Sequence, residues 1–547
     1  MTRRVLLATA LVAAIVSPLE AQVTSDRLLH ATDEPQNWLT YSGSYASTRH
    51  SPLHQIDLTN AKNLELKWVF QARSLESFEA TPLVVDGVMY LTQAPNDVVA
   101  LDARTGVVFW IYQYKTSPDS RPCCGSVNRG LAILGDTLFM ATVDAHLVAL
   151  DARDGQPLWN IEVAKAASGY AMTLAPLVVK DKVIVGVAGG ELGIRGFLSA
   201  YEAKTGKEAW RFYTIPGPGE PGHETWQGDS WQHGGAPVWL TGSYDPALNL
   251  TYWGVGNPGP DFNARQREGQ NLYSSSAVAL DADTGKLKWF FQFTPNDPYD
   301  FDAVQIPVLV DANWNGAPRK LLFWANRNGF LYVLDRVTGK FVAGYPFVKV
   351  NWARGLDSNG VPFQTMQPPG KPTYPGVQGG TNWYSPSYSS RTGLFYLSVW
   401  DGYGSIYTPV DVEYKEGQRF GGGRIGSPIA PAAAMVPYVR RSPINTWTEE
   451  AGHGAVVALD PRTGQRKWAF PMTDVSTSGI LTTAGDLLFT GSREGYFHAI
   501  DARTGAVLWK ASLGGPIAQG PITYEVGGKQ YVATAAGNGL FVFALRE

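Results

Sequence analysis

Two groups of residues in this 547-residue chain have types and spacings suited to chemistry. The first is an adjacent pair, Cys123 and Cys124, the only cysteines in the sequence. Consecutive Cα atoms lie about 3.8 Å apart, whereas an ordinary disulfide needs about 4.4–6.8 Å. A bond between the two would therefore strain the chain, and such strain clusters at functional sites. Two reduced, buried thiols remain an equally good explanation of the pair alone.

The second group consists of oxygen-bearing side chains in unusual settings. Glu191 follows an apolar strand and a Gly-Gly pair, and Asn257 lies in a stretch rich in glycine and proline. Asp300 and Asp302 alternate along an extended segment and so share one side, which is costly for carboxylates without a cation or proton between them. Each residue alone is also explained as a solvent-facing acid or a turn former. Together they form the donor set of a hard cation, such as Ca²⁺ or a larger trivalent ion.

Trp239 and the lack of a His/Cys cluster also bear on what the site could bind. Trp239 ends a Gly-Gly-Ala-Pro-Val-Trp loop, where its indole is either the floor for a flat ring or part of the core. The sequence contains no His/Cys cluster of the kind that binds zinc or copper.

A recurring phrase of the form Ala-Leu-Asp-Ala-x-Thr-Gly-x-x-x-Trp positions these residues. Asp-x-x-Thr-Gly is turn chemistry, and the strand after it ends in a tryptophan that can bury a flat face against the next unit. The copy at Val333–Gly339 lacks its tryptophan, and Trp68 ends a copy whose start is missing. The other copies end at Trp110, Trp159, Trp210, Trp289, Trp468 and Trp509.

The repeat predicts an all-β fold, an eight-bladed β-propeller with tryptophan-docking repeats. Each unit has about four short strands in roughly 40–50 residues, which is the period of a propeller blade. The incomplete first copy predicts that strands from the two ends of the chain share a blade. An open solenoid or two domains are the alternatives. The longest gaps between copies predict insertions around 216–272 and 344–384.

Composition and the N-terminus indicate the class and the compartment. The chain has 59 Gly, 36 Pro, 18 Trp, 25 Tyr and 23 Phe, and its net charge of −3 offers no basic face for nucleic acid. Arg3 and Arg4 precede a short apolar run, with a cleavage site after Ala21. We therefore expect a signal peptide over 1–21, one propeller domain over 22–547, no membrane span and a periplasmic location, where a disulfide is favoured.

From about Trp38 onward the chain resembles the quinoprotein alcohol dehydrogenases of the methanol/ethanol dehydrogenase type, which use pyrroloquinoline quinone (PQQ). The resemblance rests on the cysteine pair followed by Val-Asn-Arg-Gly, the docking repeats, and the order of Glu191, Asn257 and Asp300. It implies oxidation of primary alcohols to aldehydes by hydride transfer to PQQ, assisted by a metal ion. Electrons would pass to a separate cytochrome c.

The same resemblance implies a role for each site residue. Asp300 would be the general base, and Arg327 would stabilise charge on the reacting oxygen. A Cys123–Cys124 disulfide would stack on one face of PQQ and Trp239 on the other. The metal would be held by Glu191, Asn257, Asp300 and Asp302. The remaining PQQ contacts would be Glu79, Arg129, Thr173, Gly189, Gly190, Arg327, Asn382 and Trp383.

Three features depart from the methanol dehydrogenase pattern. Asp302 is the extra carboxylate of the lanthanide-dependent branch, and it favours a lanthanide(III) over Ca²⁺ because a higher charge gains more from an additional anion. Thr477 stands where methanol enzymes usually have tryptophan, which argues against methanol as the substrate. The sequence has no Cys-x-x-Cys-His motif, so we expect no haem of its own. The oligomeric state stays open, with a homodimer as one alternative.

A non-catalytic propeller scaffold for outer-membrane assembly is the alternative function, since such scaffolds share the docking repeat. A scaffold needs neither the cysteine pair nor the set of Glu191, Asn257 and Asp300. Their joint presence favours the enzyme.

Overall fold

The computed structural model describes residues 23–74, 76–426, 453–472 and 474–546. The predicted signal peptide, residues 1–21, lies outside them. Helix is scarce in the described part: one short α-helix, α1 (Ser25–Leu29), and seven 3₁₀ turns. The turns are Ala31–Asp33, Ala61–Asn63, Ala166–Ser168, Gly190–Leu192, His223–Thr225, Ser230–His233 and Ala264–Arg267.

Short strands account for nearly all other regular structure. The first half of the chain contains β1 (His50–Ser51), β2 (Leu64–Gln71), β3 (Leu83–Val85), β4 (Val88–Gln93), β5 (Asp97–Asp102), β6 (Val108–Tyr112), β7 (Leu131–Leu134), β8 (Thr137–Ala141), β9 (His146–Asp151), β10 (Pro157–Glu162), β11 (Leu177–Val179), β12 (Lys182–Gly186), β13 (Phe197–Glu202), β14 (Glu208–Tyr213), β15 (Ser243–Asp245), β16 (Leu250–Gly254), β17 (Ser276–Asp281) and β18 (Leu287–Gln292). The second half contains β19 (Val308–Trp314), β20 (Ala317–Ala325), β21 (Phe330–Asp335), β22 (Phe341–Pro346), β23 (Ala353–Leu356), β24 (Pro362–Gln364), β25 (Ser387–Ser389), β26 (Leu394–Asp401), β27 (Ile406–Pro409), β28 (Gly423–Gly426), β29 (His453–Leu459), β30 (Arg466–Met472), β31 (Ile480–Thr483), β32 (Leu487–Gly491), β33 (Tyr496–Asp501), β34 (Val507–Ser512), β35 (Ile522–Val526), β36 (Lys529–Ala536) and β37 (Gly539–Leu545).

These strands form eight antiparallel blades, which confirms the predicted eight-bladed propeller. Blade 1 combines β2 with β35, β36 and β37, so both ends of the chain contribute to it, as predicted. Blades 2 to 6 follow in sequence as β3–β6, β7–β10, β11–β14, β15–β18 and β19–β22. Blade 7 is β25, β26, β29 and β30, and blade 8 is β31–β34 with β1 added in parallel at its edge. The pairing of Leu64 with Leu545 closes the ring and excludes an open solenoid.

Docking tryptophans join neighbouring blades. Trp110 at the end of blade 2 donates from Nε1 to the backbone oxygen of Ala152 in blade 3 at 3.2 Å. Trp509 of blade 8 donates to Leu64 of blade 1 at 3.1 Å, which extends the contact across the closure. Trp159, Trp210, Trp289 and Trp468 make equivalent bonds of 3.1–3.2 Å.

Blade 6 replaces its missing tryptophan with a tyrosine. The ring of Tyr345 in β22 lies over Gly464 of the next repeat, and its hydroxyl donates to the backbone oxygen of Arg462. A Cβ at Gly464 would clash with this ring, as it would at Gly155 beneath Trp110. An aromatic face over a turn glycine is therefore the element that the docking repeat requires.

The predicted insertions are interleaved with blade strands. Strands β15 and β16 of blade 5 fall within 216–272, and the hairpin of β23 and β24 falls within 344–384. A further excursion between β26 and β29 contains the hairpin of β27 and β28, which lies in the same long gap between repeat copies but beyond the predicted 344–384 insertion. None of the helices in the described part of the chain has the length and apolar content needed to cross a bilayer.

Candidate active site

All predicted site residues lie in two kinds of connection. In a four-stranded antiparallel meander, the loop after the second strand and the link after the fourth emerge on the same side. Glu191, Asn257 and Arg327 follow the second strands of blades 4, 5 and 6. The other predicted residues lie in links between blades: Glu79, Cys123, Cys124, Arg129, Thr173, Trp239, Asp300, Asp302, Asn382 and Trp383. The blade topology therefore gathers them on one face of the propeller.

Asp300 and Asp302 share one arginine. Arg327 Nη2 lies 3.1 Å from Asp300 Oδ2, and Arg327 Nη1 lies 2.7 Å from Asp302 Oδ2. The guanidinium also donates to the backbone oxygen of Val377 at 3.0 Å through Nε. The two aspartates thus face one side of their segment, and Arg327 is fixed between that segment and the link to blade 7.

Asp297 shapes the segment that carries both aspartates. Its carboxylate accepts hydrogen bonds from the backbone N–H groups of Tyr299 at 2.8 Å and Phe301 at 2.6 Å. Asp300 adopts a φ of 62°, in the left-handed region that a residue with a side chain enters only at some cost. Burial raises the pKa of Asp297 to about 6. Sequence reasoning did not single out Asp297.

Glu191 belongs to the 3₁₀ turn Gly190–Leu192, which Gly189 enters with a φ of 115°. A Cβ at Gly190 would stand 3.6 Å from the side-chain oxygen of Asn257, so that oxygen faces the turn. One carboxylate oxygen of Glu191 lies within 4.8 Å of the sulfur atoms of Cys123 and Cys124. Those sulfurs form a disulfide, so they are not thiolate metal ligands, and the proximity places the pair beside the acidic residues.

Cys123 and Cys124 form a disulfide, so the pair is not two reduced, buried thiols. It lies in the link between blades 2 and 3. Its sulfur atoms lie within 4.8 Å of a carboxylate oxygen of Glu191 in blade 4, so the centre of the propeller brings these two loops together.

Asn257 connects the acidic residues through both of its nitrogens. Its backbone N–H donates to Asp302 Oδ1 at 2.8 Å. Its side-chain Nδ2 donates to Asp261 Oδ1 at 3.0 Å. Asp261 is 1% exposed and was not predicted. Its only sequence signal was its position four residues after Asn257 across a Pro-Gly-Pro turn.

Asp300 and Asp302 pair with Arg327, and the charges of Glu191 and Asp261 act on Asp300 from further away. Burial raises the pKa of Glu191, and the charge of Asp302 raises it further. The pKa values of Asp261 and Asp300 are raised well above the usual range, first by burial and then by neighbouring carboxylates, while Arg327 opposes this rise at Asp300. The pKa of Asp302 is also raised by burial. A cation of high charge would offset this repulsion, and oxygen is the donor that such cations prefer.

The predicted cofactor contacts surround Arg129. Its Nη2 lies 2.8 Å from Glu79 Oε2, and its Nη1 donates to Thr173 Oγ1 at 2.9 Å. Its guanidinium carbon lies 5.1 Å from the ring centre of Trp239 and 5.0 Å from that of Trp383. Two indoles, a cation and a buried acid thus line one region of the propeller axis.

We call Glu191, Asp261, Asp300 and Asp302 the acidic cluster. Trp239 links the region around Arg129 to this cluster, since its Nε1 donates to Asp302 Oδ2 at 3.3 Å. Asn382 Nδ2 donates to the backbone oxygen of Gln378 at 3.1 Å, and its Oδ1 accepts from the N–H of Trp383. Thr477 is half-buried in the link between blades 7 and 8, on the same face.

Two buried hydrogen-bond donors beside the predicted cofactor contacts have no hydrogen-bond partner within the described ranges. They are Arg129 Nε and the hydroxyl of Tyr384. Tyr384, which was not predicted, is buried, and this burial raises its pKa, while the charge of Arg327 opposes the rise. Unpaired buried donors are rare in proteins. With flanking indoles and a disulfide, they fit a flat, polar-edged ligand such as a quinone.

A family model for PQQ proteins, described as "Glucose/ethanol/alcohol dehydrogenase, beta-propeller domain", matches residues 38–353 and 348–532. A quinoprotein alcohol dehydrogenase of Pseudomonas putida is 37% identical, with 98% of this chain and 92% of that protein covered. A lanthanide-dependent methanol dehydrogenase of Methylacidiphilum fumariolicum is 36% identical, with 96% and 88% covered.

Solved structures show the same likeness. A europium-containing methanol dehydrogenase superposes with a TM-score of 0.87 at 35% identity, covering 95% of this chain and 100% of that one. The quinohaemoprotein alcohol dehydrogenase of Comamonas testosteroni gives a TM-score of 0.88 at 33% identity, covering 96% and 83%. The chain therefore belongs to the PQQ-dependent glucose/ethanol/alcohol dehydrogenase family of β-propellers.

Proposed function

We propose that this protein is a PQQ-dependent alcohol dehydrogenase that oxidises primary alcohols to aldehydes with the help of one bound metal ion. The observation that carries the proposal is the pairing of Asp300 and Asp302 with Arg327, on the face that also holds Trp239 and the disulfide next to Glu191. Asn257 donates its backbone N–H to Asp302 on the same face. Family membership supports the same reaction class. A scaffold has no use for a buried cluster of repelling carboxylates.

PQQ, when bound, supplies the acceptor for the two electrons of the alcohol. The chain's own groups would hold it between the Cys123–Cys124 disulfide and Trp239. The polar contacts would come from Glu79, Arg129, Thr173, Gly189, Gly190, Arg327, Asn382 and Trp383.

The metal ligands would be Glu191, Asn257, Asp300 and Asp302, which offer carboxylate and amide oxygens to a hard cation. The ion is a lanthanide(III) or Ca²⁺. The second aspartate, Asp302, favours the trivalent ion because each added carboxylate attracts a higher charge more strongly. Similarity to proteins named for lanthanide and europium supports this choice.

Asp300 is the general base of the proposed reaction. Its Oδ2 accepts from Arg327, and its Oδ1 has no hydrogen-bond donor in the described part of the chain. Burial raises the pKa of Asp300, but the charges of Arg327 and of the bound metal ion would favour its ionised form, which takes the proton from the substrate hydroxyl at Oδ1. Arg327 is fixed by the carbonyl of Val377 and would stabilise the negative charge that the transferred hydride brings to the quinone oxygen of bound PQQ.

The compartment, the catalytic domain and the electron acceptor are inferred from the sequence. We infer that residues 1–21 export the protein to the periplasm and that 22–547 form one catalytic domain. The segments around 216–272 and 344–384 would shape substrate entry. A separate cytochrome c would accept the electrons, because the sequence contains no haem-attachment motif.

Reconstitution tests the proposal. Purified protein given PQQ with either CaCl₂ or a light lanthanide chloride should reduce an artificial dye when ethanol is added. Turnover should require both PQQ and metal, with the lanthanide giving the higher rate. The absence of turnover with every metal and every primary alcohol tested would contradict the proposed function.

A further inference from the structure

Asp261 is the one carboxylate of the acidic cluster that the family resemblance did not include. It lies in the loop after the second strand of blade 5, four residues beyond Asn257, and it is 1% exposed. Its Oδ1 accepts a hydrogen bond of 3.0 Å from Asn257 Nδ2. Glu191 and Asp302 lie close enough to affect it electrostatically. It therefore touches the cation site from the side that carries the amide ligand.

A buried arginine holds the loop in this shape. Arg267 is completely buried, and it donates from Nε to the backbone oxygen of Pro260 at 3.1 Å and from Nη2 to that of Asp261 at 3.2 Å. Its Nη1 donates to the side-chain oxygen of Asn271 at 3.0 Å. The backbone beneath Asp261 is thus anchored on two sides, and its carboxylate has a fixed direction.

The contact with Asp261 determines which way the Asn257 amide points. A carboxylate accepts hydrogen bonds and cannot donate them, so it fixes the NH₂ group of Asn257 on its own side. The amide oxygen then faces Gly190, and it accepts no hydrogen bond within the described residues. A buried carbonyl oxygen left without a donor and aimed at an acidic cluster is suited to a cation.

The negative charge of Asp261 also affects which cation the site prefers. Asp300 and Asp302 pair with Arg327, while Asp261 adds a negative charge that acts on Glu191, Asp300 and Asp302 and that Arg419 offsets only in part. Each carboxylate added near a cation stabilises it in proportion to the charge of the cation. A trivalent ion therefore gains more from Asp261 than a divalent ion does.

We propose that Asp261 is a positioning and selectivity residue of the cation site: it turns the Asn257 oxygen toward the ion and biases the site toward trivalent over divalent cations. The inference rests on the proposed metal-dependent function and assigns part of its metal preference to a residue that is not itself a predicted ligand. Second-layer groups of this kind typically change metal affinity by about 10–100-fold when they are replaced.

Direct metal binding tests this inference without turnover. Protein freed of metal by a chelator is titrated with TbCl₃, read as tryptophan-sensitised terbium emission, and CaCl₂ competition gives the calcium affinity. Asp261→Asn keeps a side-chain acceptor for Asn257 but removes the charge, whereas Asp261→Ala removes both. Glu413→Gln is the matched control, because it removes a carboxylate that is 85% exposed.

The two Asp261 variants should give different results. Asp261→Asn should weaken terbium binding about tenfold or more while changing calcium binding less. Asp261→Ala should weaken both ions, since the amide can then rotate. Glu413→Gln should match the wild type. Equal losses for both ions in Asp261→Asn, or no loss for either, would overturn the proposal, as would a wild type that binds neither ion.

Dye-reduction assays separate this outcome from failure of the proposed function. A selectivity change in a protein that never oxidises alcohol would support the role of Asp261 and contradict the proposed enzyme. Full turnover with unchanged ion selectivity in Asp261→Asn would support the proposed enzyme and contradict the role of Asp261. If Asp261→Ala does not fold, as judged by circular dichroism, Asp261→Asn decides alone.

Discussion

Two regions of the propeller bury an aspartate against an arginine, on opposite faces. On the face away from the candidate site, Arg336 Nε lies 2.7 Å from Asp245 Oδ2. Backbone N–H groups of Ala247 and Leu248 also donate to Asp245, at 2.9 and 3.2 Å. Burial alone would raise the pKa of Asp245, but the hydrogen bond and charge of Arg336 outweigh it and hold the pKa below the usual value.

The candidate site has the opposite balance. Arg327 bonds to Asp300 and Asp302 at once, with Glu191 and Asp261 close by, and the pKa values of all four carboxyl groups are raised. The difference is the number of carboxylates for each cation. At Asp245 the negative charge is balanced by Arg336, and this ion pair stabilises the fold. Around Arg327 one arginine pairs with two aspartates, and the exposed Arg419 offsets the charges of Glu191 and Asp261 only in part, which indicates a site suited to an additional cation.

The largest effect should come from replacing the proposed base. Asp300→Asn keeps the shape but cannot accept a proton, so the rate of alcohol oxidation should fall by about 10²–10⁴-fold. PQQ binding, followed by its absorbance after gel filtration, should persist. Steady-state dye reduction measures the rate, and Asp245→Asn should retain activity in the same assay. An active Asp300→Asn variant would mean that the base lies elsewhere.

On the opposite face, the same substitution should affect stability. Asp245→Asn breaks the buried half of the Arg336 ion pairs and leaves only the exposed Asp311 at 2.6 Å, and breaking a buried pair typically costs about 3–5 kcal/mol. Urea unfolding of protein freed of metal, followed by tryptophan fluorescence, measures the loss. Asp300→Asn should instead be neutral or stabilising under these conditions, because it removes a repelling carboxylate. Equal destabilisation by both variants would remove the distinction between the two regions.

The fold was predictable because its signal is local and repeated. Asp-x-x-Thr-Gly turns and their tryptophans recur with a blade's period, and the incomplete copy at Trp68 indicated a blade shared by the chain ends, which the pairing of Leu64 with Leu545 confirms. Tyr345 was missed because its docking role depends on a contact with Gly464, more than one hundred residues away. The hairpin of β27 and β28 has no repeat to indicate it.

The candidate site was partly predictable, and for a different reason. Asp300 and Asp302 were singled out by their alternation along one segment and Arg327 by the family resemblance, and the structure places them in contact. Asp261 and Tyr384 became visible only in three dimensions. Asp261 matters through a turn that returns it to Asn257, and Tyr384 through its burial near the charge of Arg327. Neither property is encoded in residue type or spacing.

The two regions should also respond to pH with opposite signs. Carboxyl groups with raised folded-state pKa values stabilise the fold below their unfolded pKa of about 4, and this stabilisation is lost as pH rises through the raised values. Asp245, with a lowered pKa, contributes above pH 4 and loses its contribution as pH falls. Protein freed of metal should therefore lose stability from pH 5 to pH 8, and added lanthanide should reduce that loss.

Thermal unfolding at several pH values, with and without LaCl₃, measures this response. Asp300→Asn should flatten the alkaline loss in the absence of metal. Asp245→Asn should leave that loss in place and flatten the acid side instead. A wild type whose stability without metal rises steadily from pH 5 to pH 8 would contradict the raised pKa values.

The smallest effect should come from an ion pair that resembles Asp245–Arg336 in chemistry but not in burial. Lys180 Nζ lies 2.8 Å from Asp283 Oδ1, and both side chains are nearly half exposed. Water and salt screen such a pair, so Asp283→Asn should cost less than about 1 kcal/mol. Urea unfolding in low and high salt measures it, with Asp245→Asn in parallel. A cost approaching that of Asp245→Asn would show that burial is not what separates the strong pair from the weak one.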